Sequence, residues 1–105
     1  MKRCELKTLL KKMKRTTYLN AFHLLQLIDT KFDLIVDFDD VYFNQSNYVL
    51  EIAAIYSVLV EDDTLYILTK KNELHRINSS NNEHVIIDAN CISILNSIKS
   101  FFNFN

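Results

Sequence analysis

The chain has 105 residues, of which 49% are hydrophobic and 24% are charged, so it has enough apolar surface for one core and is too short for two. It contains no glycine and no proline, which excludes glycine-rich phosphate loops and the nucleophile elbow of α/β-hydrolases. No apolar run is long enough for a membrane span, and the basic N-terminus lacks the apolar region of a signal peptide. We therefore expect a single small domain over residues 1–105 that stays in the cytosol of the host cell.

The net charge of −1 conceals a division of charge along the chain. Residues 1–15 carry seven Lys or Arg and one Glu, whereas residues 16–63 carry one Lys and nine Asp or Glu. Charge of this kind governs the choice of partner rather than the fold. The sequence therefore offers two candidate binding surfaces of opposite sign.

The basic segment predicts an amphipathic first helix. Its apolar residues recur at i, i+3, i+4 and i+7, and the lysines occupy the other faces. The buried stripe is expected to comprise Leu6, Leu9, Leu10 and Met13, and the exposed lysines Lys7, Lys11, Lys12 and Lys14. Thr16 or Thr17 is a suitable N-cap for a second helix over residues 18–29. We expect the two helices to form a helical hairpin.

Residues 32–39 predict a half-buried strand with an acidic outer face. Apolar and polar residues alternate, which places Phe32, Leu34, Val36 and Phe38 on one side and Asp33, Ile35, Asp37 and Asp39 on the other. Alternate side chains on a strand lie about 6.8 Å apart. The aspartates would therefore form a ladder of carboxylates that imitates a nucleic-acid backbone.

The rest of the chain predicts a β-meander followed by a helix. Residues 48–60 are apolar enough for a strand or a helix, and we predict a strand. Residues 64–70 and 73–78 are expected to form a hairpin in which Asn72 takes the positive φ that glycine normally adopts, and residues 84–88 to form the last strand. A terminal helix is predicted after a cap at Asp88 or Asn90, and the residues spaced for packing on the sheet are Cys91, Leu95, Ile98 and Phe102. The fold class is α+β: an N-terminal helical hairpin, a mostly antiparallel meander of four to five strands, and a C-terminal helix packed on the sheet.

Three short segments suggest an alternative function. Residues 37–40, Asp-Phe-Asp-Asp, follow an apolar strand and resemble the first motif of haloacid-dehalogenase-like phosphatases, while Thr69 and Asp88 end segments similar to the second and fourth motifs. The resemblance implies a nucleophile at Asp37, a general acid at Asp39 and a magnesium ion held by both. The chain departs from the family pattern between Thr69 and Asp88, where the segment is too short for the strand and helix of that family.

The histidines give no indication of a catalytic or metal site. Pairing Asn78 with Glu83 places Ile86, not His84, opposite His75, so we expect these two histidines to stay apart. His23 falls beside Phe22 and Leu24 on the second helix, and we expect it at the boundary between the buried and exposed faces. We expect no metal, no cofactor and no catalytic residue.

Three functions remain after these exclusions. We favour a small non-enzymatic inhibitor or adaptor of phage or mobile-element origin, which occupies a basic, nucleic-acid-binding surface of a larger protein. Its binding residues would be Asp33, Asp37, Asp39, Asp40, Glu61, Asp62 and Asp63. The second is a nucleic-acid binder that uses the lysines of the first helix. The third is a reduced haloacid-dehalogenase-like phosphatase, that is, one that lacks part of the family's fold. The oligomeric state stays open.

Overall fold

The computed structural model describes residues 3–15, 21–81 and 83–89, and in these ranges the chain forms two α-helices, one 3₁₀ helix and seven strands. The helices are α1 (Arg3–Arg15) and α2 (Ala21–Phe32), and the 3₁₀ helix covers Ile52–Ala54. The strands are β1 (Leu34–Val36), β2 (Asp40–Phe43), β3 (Tyr48–Glu51), β4 (Ile55–Glu61), β5 (Thr64–Thr69), β6 (Glu73–Asn78) and β7 (His84–Asp88).

The strands form two antiparallel meanders rather than one. Sheet A has the order β1-β2-β3 and sheet B the order β4-β5-β6-β7. The α+β class is thus confirmed, while the single sheet of four to five strands is wrong. The predicted C-terminal helix lies outside the described residues.

Residues 48–60 contain the point at which the chain passes from one sheet to the other. The 3₁₀ helix separates β3 from β4, and backbone hydrogen bonds tie its two ends to different sheets: Ile52 N–H donates to Asp39 O (2.9 Å), and Lys70 N–H donates to Ala54 O (2.8 Å). The single strand predicted here is therefore two strands. The segment Ile52–Ala54 contains no residue typical of a turn.

Sheet B is the middle layer of the molecule. The stripe Leu6, Leu9, Leu10 and Met13 of α1 packs with Leu59, Leu68 and Leu74 on one face of this sheet. The opposite face, with Val58, Leu65, Ile67 and Ile77, packs against α2 and the inner face of sheet A. The burial predicted for α1 is confirmed. The helical hairpin is a wrong prediction, because the two helices contribute to cores on opposite faces of sheet B.

Non-glycine residues with positive φ make four of the turns. They are Asp33 (54°), Asn47 (52°), Asp62 (53°) and Asn72 (61°). Asn and Asp tolerate the left-handed region best among residues with a Cβ. The hairpin predicted about Asn72 is confirmed, with β5 and β6 paired from Thr64↔Asn78 to Leu68↔Leu74.

Candidate functional site

The acidic ladder predicted over residues 32–39 does not form. Phe32 ends α2, Asp33 turns the chain, and β1 covers only residues 34–36. Asp37 and Asp39 lie in the turn before β2, where Asp37 accepts a hydrogen bond from Phe38 N–H (2.7 Å). Phe38, predicted on the apolar face, is 85% exposed. The alternation was misleading because it ran across a helix end and a turn.

The outer face of sheet A instead carries an apolar row with carboxylates at one end. Cross-strand pairing aligns Ile35, Tyr42 and Val49, of which Ile35 and Val49 are half exposed. One step along the same face, Asp40 of β2 pairs with Glu51 of β3. Like charges directly opposite each other are unfavourable in a sheet. This surface therefore combines exposed apolar area with uncompensated negative charge.

We call this surface the acidic face, and it comprises Phe38 and the four carboxylates of Asp37, Asp39, Asp40 and Glu51. A groove of about 590 Å³ lies here, lined by Phe38, Asp39, Asp40, Glu51, Ile52 and Ala53. The Phe38 ring lies 6.4 Å, centroid to centroid, from Phe22 of α2. No ion pair to these four carboxylates occurs among the described residues.

Asp33 lies apart from the acidic face and has a structural role. Its carboxylate accepts hydrogen bonds from the side-chain amides of Asn44 (3.1 Å) and Gln45 (2.7 Å), which lie in the turn between β2 and β3. These two hydrogen bonds, that of Asn44 first, lower the pKa of Asp33. Asp33, which was predicted to bind a partner, thus stabilises the β2–β3 turn.

The other predicted acidic residues lie at the β4–β5 turn, next to lysines. Glu61 forms an ion pair with Lys12 of α1, and Asp63 forms one with Lys31 of α2 at 3.5 Å. Lys31 Nζ also donates to the backbone carbonyl of Asp62 (2.9 Å). This turn therefore carries less uncompensated charge than the acidic face does.

The lysines of α1 are exposed as predicted at Lys7, Lys11 and Lys12. The side chain of Lys14 lies outside the described part of the chain. Because Lys12 pairs with Glu61, its charge is partly compensated within the protein.

The residues that resemble phosphatase motifs lie on different sheets. Asp37 and Asp39 follow β1 of sheet A, whereas Thr69 and Asp88 end β5 and β7 of sheet B. Both sheets are antiparallel, and the Thr69 hydroxyl accepts a hydrogen bond from Glu73 N–H (3.0 Å). The described residues therefore do not bring the segments that resemble phosphatase motifs together on one sheet.

Two histidines that were expected to stay apart are in contact. His75 pairs with Ile86, as predicted, but His75 Nδ1 lies 2.9 Å from His84 Nε2. The register was right and the conclusion wrong, because diagonal neighbours on one face of an antiparallel pair lie within reach of aromatic side chains. The signal was present in the sequence, because His75 and His84 each precede a residue of the pair Arg76↔Val85 and are therefore diagonal neighbours on one face.

The histidine pair continues to a serine at the surface. Ser46, in the β2–β3 turn of sheet A, places its Oγ 2.7 Å from His84 Nδ1. The rings of Phe43 and Tyr48 enclose the pair, with centroids 4.7 and 5.5 Å from that of His84. His75 is fully buried, and its Nε2 has no hydrogen-bond partner, the nearest carboxylate oxygen being Glu73 Oε2 at 3.9 Å. Burial, followed by the neighbouring His84, lowers the pKa of His75 to about 4, and burial also lowers the pKa of His84.

Within the described ranges, no three His, Cys, Asp or Glu side chains come close enough together to hold a metal ion, and no helix has the length and hydropathy of a membrane span. No protein-family model, curated protein or solved structure matches the chain.

Proposed function

We propose that the protein is a binding module, an inhibitor or adaptor, whose acidic face occupies a basic surface of a larger protein in the cytosol of the host cell. The observation that carries this proposal is the exposed Phe38, which lies beside carboxylates that have no ion-pair partner among the described residues. Interfaces commonly have an aromatic anchor surrounded by a polar rim.

The charge of this face argues for a basic partner. Asp40 and Glu51 repel each other across the strand pair, and a partner's Arg or Lys would relieve that repulsion. The apolar row Ile35, Tyr42 and Val49 extends the contact area beyond the carboxylates. Binding at this face needs no catalytic group, cofactor or metal.

The proposal narrows the set of binding residues. Asp37, Asp39 and Asp40 remain from the original set, and Glu51 joins them because the sheet places it opposite Asp40. Asp33 is left out because it stabilises the β2–β3 turn through Asn44 and Gln45. The acidic residues of the β4–β5 turn, which are Glu61, Asp62 and Asp63, are left out because Lys12 and Lys31 contact them.

Site-specific photo-crosslinking tests the position of the interface. A photoreactive phenylalanine analogue is placed at Phe38 and, as the matched control, at Leu27 of α2, which is 82% exposed. We expect one basic protein to be captured in the native host through position 38 and not through position 27. Equal capture at both positions, or none at position 38, would refute the proposed interface.

The captured partner then tests the role of charge. Asp39→Asn with Asp40→Asn removes two charges from the acidic face, and Asp62→Asn with Asp63→Asn removes two from the β4–β5 turn. We expect only the first pair to slow association, by about tenfold at low salt, and the difference to shrink as salt rises. Phe38→Ala should mainly accelerate dissociation. If both double variants bind equally well, charge at the acidic face is not what selects the partner.

The alternative function is nucleic-acid binding by the basic face of α1. Lys7 and Lys11 are exposed on α1 and have no ion pair among the described side chains. Binding to duplex DNA at physiological salt that is lost in Lys7→Gln with Lys11→Gln would support it. The acidic-face variants should leave such binding unchanged.

A further inference from the structure

The contact between Ser46, His84 and His75 brings together the groups of an activated nucleophile. A serine hydroxyl becomes reactive when a neutral imidazole accepts its proton and a second group holds that imidazole in the right tautomer. Ser46 Oγ lies 2.7 Å from His84 Nδ1, and His84 Nε2 lies 2.9 Å from His75 Nδ1. The three side chains come from a turn of sheet A and from two strands of sheet B.

The direction of proton donation depends on the tautomers of the two histidines, and Glu73 favours one of them. His75 Nε2 is buried and faces Glu73 Oε2 at 3.9 Å, which favours a proton on that nitrogen. His75 Nδ1 is then an acceptor, so His84 Nε2 carries the donated proton and His84 Nδ1 is free to accept from Ser46. In this arrangement, Ser46 donates to His84 and His84 donates to His75, so the chain of hydrogen bonds runs from the exposed serine to the buried histidine.

We propose that Ser46 is a catalytic nucleophile that takes an acyl group from an activated ester and releases it to water, with His84 as general base and His75 as a positioning residue. The inference goes beyond the binding function proposed above and uses a separate set of residues.

The reaction balances with an ester and water as the only reactants. Ser46 Oγ forms a bond to the acyl carbon while its proton passes to His84 Nδ1, and the ester C–O bond then breaks. The leaving alcohol takes the proton from His84. Water next attacks the acyl-serine, transfers a proton to His84, and the acid leaves as Ser46 Oγ regains that proton.

The surroundings are suited to an apolar acyl or aryl group. Ile86 lies two residues from His84 on the same strand and is 45% exposed, and the Tyr48 ring contacts His84 edge to face, with the centroids 5.5 Å apart. Both histidines are neutral at pH 7, because burial lowers the pKa of each. The titratable groups near them are Glu73 on β6 and Tyr48 on β3.

Reaction with p-nitrophenyl acetate tests the assignment. We expect a burst of about one p-nitrophenolate per chain, and an acetyl group on the peptide that contains Ser46. Ser46→Ala should abolish both, and His84→Gln should slow the burst by at least about 10²-fold. Ser80→Ala, which changes another exposed turn serine, and His23→Gln, which removes an exposed histidine, should react as the wild type does.

A second pair of variants separates positioning from folding. His75→Gln keeps an acceptor for His84 Nε2–H, whereas His75→Phe removes it. We expect Gln to restore most of the burst rate and Phe to lose it, although both proteins give the wild-type circular dichroism spectrum. An acetyl adduct on another residue, a burst that survives Ser46→Ala, or equal rates for the two His75 variants would overturn the assignment. Crosslinking at position 38 should be unaffected by Ser46→Ala, so the two proposals fail independently.

Discussion

Acidification should destabilise the protein through the buried side chain of His75. The side chain is fully buried, and its pKa falls from 6.5 to about 4. Between these values the unfolded chain binds a proton that the folded chain does not, so stability falls as the pH falls. Each pH unit is worth about 1.4 kcal/mol, which gives a loss of about 3 kcal/mol between pH 7 and pH 4. This is a large part of the 5–15 kcal/mol typical of a domain.

Urea unfolding of the wild type and His75→Phe at pH 7.5, 6.5, 5.5 and about 4.5 measures this effect. Phenylalanine fills a similar space against Phe43 and Tyr48 but cannot ionise. We expect the variant's unfolding free energy to depend less on pH, because both proteins retain His84 and every other titratable group and differ only at position 75. Equal slopes in the two proteins would refute the reasoning. An NMR titration that shows His75 protonating near pH 6.5 would do the same.

Three further predictions follow from the packing, a turn and an ion pair. Met13→Ala should lower the free energy of unfolding by about 2–5 kcal/mol in urea titrations, because Met13 is fully buried between α1 and sheet B. Asn72→Gly should fold with stability close to wild type, whereas Asn72→Ala should lose about 1 kcal/mol, since its φ is 61°; thermal unfolding of the two variants compares them. Removing the exposed Lys12–Glu61 ion pair should cost less than about 1 kcal/mol in a double-mutant cycle, and the coupling should weaken in high salt.

The elements that could be predicted from the sequence are those whose signal is local. In α1, Leu6 and Met13 fall on one stripe over two turns, and the structure buries both. The hairpin about Asn72 was predicted because a short gap between two β-rich runs favours their antiparallel pairing. In both cases, neighbouring residues determine the geometry.

The elements that could not be predicted depend on contacts distant in the sequence. The break at 52–54 is set by hydrogen bonds to Asp39 and Lys70, and nothing in its own residues marks a turn. The Ser46–His84 contact joins residues of different sheets, so no spacing rule could reveal it. Phe38 was assigned to the wrong face because its alternation continued past the end of β1.

The connectivity of the two sheets has a consequence for folding kinetics. In the described part of the chain, every strand pair joins consecutive strands, so each sheet forms from short-range contacts without the closure of a long loop. The three-residue link between β3 and β4 places the last strand of one sheet next to the first strand of the other. We expect whichever meander forms first to align the other through this link, so that hydrogen exchange in the two sheets reports a single opening reaction.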